Sequence, residues 1–187
     1  CMATLRQIEL HEGLNALCEG LLHDAVCDIV GTQFRNLATV GGSIFGRFGF
    51  SDVMTAFLAL DSYVELYKGG VVQMSEFGKM KRDNDILVRV IVKKCPGHFA
   101  YLSHRNTRTD FPVLTCAVAK RADGYAAVVG ATPHLAEVVL DRQGVLTELT
   151  DESISKFAEQ VSEEIRFGSN VRSGAAYRKA VCRVLVK

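Results

Sequence analysis

Phe34-Arg35-Asn36-Leu37-Ala38-Thr39-Val40-Gly41-Gly42-Ser43-Ile44-Phe45-Gly46-Arg47-Phe48-Gly49-Phe50-Ser51-Asp52 is the stretch from which the rest of this sequence can be read. It carries four of the sixteen glycines and two arginines, and it ends on a Ser-Asp pair opening an apolar helical pattern. Glycines let a backbone approach a ligand closely and turn its N–H groups toward phosphate or carbonyl oxygens. A helix N-terminus just downstream adds oriented donors and positive dipole. A tight turn at Gly41-Gly42 followed by an ordinary N-cap at Ser51 reads the same residues without any ligand. No G-x-G-x-x-G follows a strand and no G-x-x-x-x-G-K-[ST] is present, so the Rossmann and P-loop fingerprints are missing.

The totals bound the class. The chain has 187 residues, 48% hydrophobic and 23% charged, which suits one soluble domain or two small ones. A net charge of +1 with scattered basic residues gives no case for nucleic acid or an acidic membrane. No apolar run reaches spanning length, and the first residues are not a signal peptide. The six cysteines lie far apart without a C-x-x-C, which argues against zinc, an iron–sulfur cluster or a disulfide scaffold and suits a reducing cytoplasm. The five histidines stand in unrelated contexts with no H-E-x-x-H, and no nucleophile–base pair is suggested.

Outward from the glycine-rich stretch, Thr4 reads as an N-cap, with Leu5 and Ile8 starting a short helix. Leu14, Leu17, Cys18, Leu21, Leu22, Ala25 and Ile29 recur at helical spacing, predicting one helix from about His11 to Val30. Ser62–Tyr67 and Val71–Met74 flank Lys68-Gly69-Gly70 as a hairpin, and Asp85–Val92 is strongly β-prone. Cys95-Pro96-Gly97 marks a boundary, giving units 1–94 and 95–187. The second unit reads as three antiparallel strands near 98–102, 112–119 and 125–130. Two helices follow, Asp151–Phe167 and Ser173–Leu185, the latter with Tyr177, Val181, Val184 and Leu185 on its apolar side. The fold class is α+β.

Arg35-Asn36, Ala38-Thr39-Val40-Gly41-Gly42-Ser43-Ile44 and Ser51-Asp52 together resemble the flavin-binding segment of the molybdenum hydroxylases, the family of xanthine, carbon monoxide and nicotinate dehydrogenases. Ser43 stands where that family has Asn, and Gly46–Phe50 replaces its Ala-Ser-Pro stretch. Tyr101, Arg105, Arg108 and Asp110, with Arg172–Arg178, resemble its C-terminal flavoprotein domain. The resemblance implies the C-terminal part of a PCMH-type FAD-binding domain without its N-terminal subdomain, followed by a three-stranded antiparallel sheet with a helical layer. It implies FAD held by Thr39, Val40, Gly41, Gly42, Ser43 and Ile44, mostly through backbone N–H groups, with Asp52 accepting from the cofactor's hydroxyl region. Ile86 and Leu87 match positions flanking the cofactor, and Arg47 falls near the flavin edge or a nicotinamide dinucleotide's phosphates. No residue is assigned a catalytic or metal-binding role. The implied function is electron transfer: from a [2Fe–2S] subunit to FAD and on to NAD or another acceptor, with hydroxylation on a molybdopterin-binding subunit. Two other readings keep the same glycines, a flavin-free nucleotide- or phosphate-binding module and a cofactor-less scaffold for partner subunits.

Overall fold

A computed structural model describes residues 1–187. Six helices come first: α1 (Leu5–Leu10), α2 (Glu12–Leu17), α3 (Leu21–Val26), α4 (Thr32–Arg35), α5 (Val40–Phe45) and α6 (Asp52–Ala59). A three-stranded antiparallel sheet follows in the order β2-β1-β3, with β1 at Ser62–Leu66, β2 at Gly70–Gln73 and β3 at Leu87–Val92. A helix, α7 (Met74–Lys79), connects β2 to β3. The second sheet runs β4 (His98–Arg105), β5 (Pro112–Arg121), β6 (Gly124–Gly130) and β7 (Glu137–Leu140), in that order and antiparallel throughout. The helices α8 (Asp151–Glu164) and α9 (Ala175–Val186) complete the chain. The second sheet thus contains the three strands the sequence predicts and a fourth, β7.

Two helical expectations are corrected. Thr4 does cap α1, in a capping box with Gln7. The single helix predicted over 11–30 is broken at Cys18–Gly20, where Glu19 and Gly20 take φ of 51° and 83°. Glycine adopts that conformation freely, and Glu19 is fixed in it from outside. Its carboxylate accepts from the Phe99 N–H at 3.0 Å and meets His98 Nδ1 at 2.9 Å, tying the corner to β4. In α9 the buried residues are Arg178, Cys182 and Val186, one turn apart, while Tyr177 and Val184 are exposed. Of the predicted face, Val181 and Leu185 do pack against the second core cluster, while Tyr177 and Val184 are displaced because an arginine takes a core position. Arg178 is fully enclosed, and its guanidinium donates to the carbonyls of Val113, Gly168 and Ser173 and to Asn170 Oδ1 at 2.6–2.9 Å.

The central element is α6, in which all eight residues are buried. It packs against α3, α5 and α7 on one side and against β5 and β6 on the other. Thr55 and Thr115 hydroxyls meet at 2.9 Å across this contact. A Cβ at Gly130 would lie 2.4 Å from Thr55 Oγ1 and 2.6 Å from Thr115 Oγ1, so that glycine permits the approach. One apolar cluster therefore runs from Leu5 through α6 to Ala117, Ala119 and Val128 in the second sheet. The alternate residues Leu114, Cys116, Ala127 and Val129 face α8 and α9 in a second cluster. The strand period of two divides β5 and β6 between the two layers. No helix is long and apolar enough to cross a membrane.

Two stability outcomes follow from this packing. Arg178→Met leaves the buried Val113 carbonyl and the half-buried Gly168 carbonyl without this donor and should lower unfolding free energy by on the order of 3 kcal/mol, read as a shifted urea midpoint at unchanged slope. Gly130→Ala forces α6 away from the sheet and should cost about 1–3 kcal/mol, whereas Gly78→Ala, with open space around it, should cost under about 0.5 kcal/mol in the same assay.

Candidate functional site

The glycine pair lies inside a helix and is not a turn. Thr39 caps α5 by accepting the Gly42 N–H at 3.1 Å. Val40 and Gly41 N–H groups donate to the carbonyls of Ala3 and Cys1 at 2.9 and 2.8 Å, and Ser43 N–H donates to the Thr39 carbonyl at 3.1 Å. The Ser43 hydroxyl also donates to that carbonyl, at 3.0 Å. The backbone donors that the sequence suggested for a ligand are thus occupied by the helix cap and by the strand-like residues before α1. The physical reason is local: a capped helix start and a neighbouring extended chain satisfy these groups within the protein.

The two glycines answer different demands. A Cβ at Gly41 would strike Cys1, at 2.6 Å from Cβ and 2.8 Å from the carbonyl oxygen, so this position admits the N-terminal chain. A Cβ at Gly42 would meet only Thr39 Oγ1, at 3.1 Å, and its remaining surroundings are open. Gly42 faces a cleft of about 500 Å3, within the usual size range of small-molecule sites.

The loop after α5 places its side chains alternately in and out. Arg47 adopts φ of 46° and turns inward, 6% exposed, with its guanidinium carbon 3.9 Å above the Phe77 ring and Nε donating to the Phe77 carbonyl at 3.1 Å. Burial draws its pKa down from the ordinary arginine value. Phe48 turns outward and stacks on Phe50, with centroids 5.3 Å apart and planes 8° from parallel. Phe111, from the β4–β5 connection, meets Phe50 edge-on at 4.6 Å. All three rings line the cleft.

Ser51 caps α6 through the Met54 N–H, and Asp52 is the first helical residue, 6% exposed. Two groups of β4 converge on its Oδ1: the Tyr101 hydroxyl donates at 2.5 Å and the Arg105 guanidinium donates beside it. Arg105 also donates to the Asp110 carbonyl at 2.6 Å, while its Nε is buried without a partner. Burial pushes the Asp52 carboxyl above the ordinary aspartate value, outweighing the opposing pull of Arg105 and Tyr101. The Tyr101 hydroxyl is pushed well above the usual tyrosine range, chiefly by burial and then by the Asp52 charge.

Of the residues predicted from sequence, Thr39, Gly42, Ser43 and Asp52 line the cleft together. Val40, Gly41 and Ile44 are buried behind it, and Arg47 is turned away into the Phe45–Phe77 pocket. Ile86 is exposed just before β3 and Leu87 is buried at its first position, both outside the lining. Arg105, Phe48, Phe50 and Phe111 line the cleft without having been assigned a role. The period of two along β4, which sets Tyr101 and Arg105 on one face, was the available signal for Arg105. A second hollow, of about 690 Å3, lies between α7 and the β6–β7 connection beside Lys79, His134 and Arg166, and holds none of the predicted residues.

None of the curated proteins matches this sequence. Among solved structures, the chain resembles carbon monoxide dehydrogenase from Hydrogenophaga pseudoflava lacking the Mo-pyranopterin moiety, with TM-score 0.84 and 19% identity over 98% of this chain and 70% of that one. It also resembles reconstituted CO dehydrogenase from Oligotropha carboxidovorans, with TM-score 0.86 and 16% identity over 98% and 70% of the two chains. Quinoline 2-oxidoreductase from Pseudomonas putida 86 matches with TM-score 0.81 and 16% identity over 98% and 69%. At these identities the likeness establishes the fold. The family model described as the FAD binding domain in molybdopterin dehydrogenase matches residues 1–94, half of the chain. The chain therefore belongs to the FAD-binding domain family of the molybdopterin dehydrogenases, an oxidoreductase flavoprotein family whose cofactor is FAD.

Proposed function

We propose that this chain is the electron-transfer flavoprotein component of a molybdenum hydroxylase and that it holds FAD in the cleft between α5 and the start of α6. The observation that carries the reading is the pairing of an open Cβ position at Gly42 with the buried carboxylate of Asp52 in one cleft. A side chain at Gly42 would occupy the space, and a carboxylate held at Oδ1 by two donors has Oδ2 left to accept from a ligand hydroxyl. The Thr39 and Ser43 hydroxyls add polar contacts along the floor. Val40, Gly41 and Ile44 support that floor from behind, Ile86 and Leu87 stay outside the cleft lining, and Arg47 holds the loop that carries the aromatic wall. Residues 1–94 thus act as the cofactor subdomain, and residues 95–187 as a C-terminal flavoprotein domain whose Tyr101 and Arg105 fix Asp52.

The cleft suits the ring and polyol of the cofactor better than its diphosphate, because Arg105, the cation in its lining, is already paired with Asp52. Bound FAD supplies the redox chemistry, and the chain binds it, orients it and excludes water from one side. In this reading, electrons come from a [2Fe–2S] partner subunit and leave to NAD or another acceptor, while a molybdopterin-binding subunit oxidises the substrate.

Three titrations test the reading. The native chain purified under mild, non-denaturing conditions should show the flavin visible spectrum or regain it when titrated with FAD. Gly42→Val should lose FAD by at least about tenfold in Kd with an unchanged circular dichroism spectrum, while Gly42→Ala should lose less. FAD affinity should fall as the pH drops through the Asp52 titration, since protonation removes the charged acceptor. Asp52→Asn should abolish that dependence. A chain that binds nucleotides without flavin, or one whose Gly42 variants alter only subunit assembly, would replace the proposal with one of the two other readings.

A further inference from the structure

The cleft has a feature that neither the glycine segment nor Asp52 accounts for: Phe48, Phe50 and Phe111 are each 42–48% exposed, yet they are ordered against one another. Large apolar rings left half in water usually mark a binding surface when they are contiguous. These three come from two different parts of the chain and meet at one wall of the cleft. The guanidinium of Arg82 lies over Phe48 at 5.4 Å and is itself fixed by donating to the Gly46 carbonyl. The guanidinium of Arg172 lies over Phe111 at 4.9 Å and pairs with Asp110 at 3.5 Å. Cations over ring faces hold aromatic side chains in place without covering them fully.

We infer that Phe48, Phe50 and Phe111 form a ring-stacking subsite for a flat heteroaromatic ring joined to a hydroxylated chain. Three observations point to this class of ligand. The wall is three contiguous phenyl rings, which suits a broad π face. The same lining carries the Thr39 and Ser43 hydroxyls and the Asp52 carboxylate, which suit hydroxyl groups attached to such a ring. The loop that presents Phe48 and Phe50 is fixed by the inward Arg47, so the rings are positioned before any ligand arrives. The inference rests on the proposed cofactor site and deepens it, because it names the residues that read the ring. An isoalloxazine and an adenine share this chemistry, and the two can be separated by experiment.

The test measures binding of FAD, FMN, ADP and ribitol 5-phosphate to the whole chain and to Phe50→Leu and Phe111→Leu, which keep apolar bulk and remove the ring. Both sites are partly exposed, and they lie in different parts of the chain, so a folding failure at one leaves the other informative. Circular dichroism and thermal melts check each variant. The expected result is about tenfold weaker FMN binding in each variant, unchanged ribitol 5-phosphate binding, and affinity restored toward wild type by Phe50→Tyr. A loss confined to ADP would also support stacking and would assign the wall to the adenine ring. Equal losses for ribitol 5-phosphate and FMN, or no loss for either ring-bearing ligand, would overturn the inference while leaving FAD binding in the cleft intact. A wild-type chain that binds none of FAD, FMN and ADP would overturn both.

Discussion

The structure depends on a short helix that has no face toward water. A helix buried on every side must be surrounded, and α6 is enclosed by α3, α5 and α7 and by the second sheet. Neither half can bury it alone. The residues before and after Lys94 are therefore joined through one core, in which Leu5, Phe57 and Val128 belong to the same cluster. The close approach has a geometric limit, set where Gly130 meets Thr55 and Thr115. Burying apolar area on both sides of one element supplies the main driving force for holding the two sheets in fixed relation.

That fixed relation is what builds the site. The N-terminus of α6 opens into the cleft, so Asp52 arrives there as the first residue of a buried helix while Ser51 satisfies the end of that helix. An isolated carboxylate at such depth would be costly. Tyr101 and Arg105 offset the cost from β4, and they can reach Asp52 because α6 is pressed onto the sheet that carries them. The cleft is thus a product of the contact between α6 and the second sheet, with its acceptor on one side and the groups that hold the acceptor on the other. The same arrangement explains the aromatic wall, to which Phe50 and Phe111 come from opposite sides.

Charged side chains inside the protein serve backbone groups more than each other. Arg178 has no acidic partner and holds three carbonyls and an asparagine oxygen where the α8–α9 connection crosses β5. Arg35 pairs with Glu9 through two bonds of 2.8 and 3.2 Å and also donates to the Ile29 carbonyl, fixing α1 to α4 just before the glycine segment. Arg47 rests on two phenyl rings and a carbonyl. A planar, always charged group with five donors can satisfy several scattered carbonyls at once, which lysine cannot.

Local sequence signals determined the elements whose causes are local. Thr4, Thr39, Ser51 and Thr150 cap helices, the hairpin over 62–73 follows its alternation and its glycine turn, and Asp123-Gly124 closes β5 on β6. The glycine segment also carried the family and its cofactor, because its residue types and spacing are a property of the chain itself. Tertiary structure decided the rest. It broke the helix at Glu19, because a carboxylate 80 residues from Phe99 found its N–H. It turned the buried face of α9 toward Arg178, because carbonyls distant in sequence needed donors. It gave Gly41 to the N-terminal chain and Gly42 to the cleft, a distinction that depends on what lies opposite each Cα. Arg47 went inward and the phenylalanines outward for the same reason. Periodicity and capping act over a few residues, whereas the partners of a buried charge or an exposed ring are set only when distant segments meet.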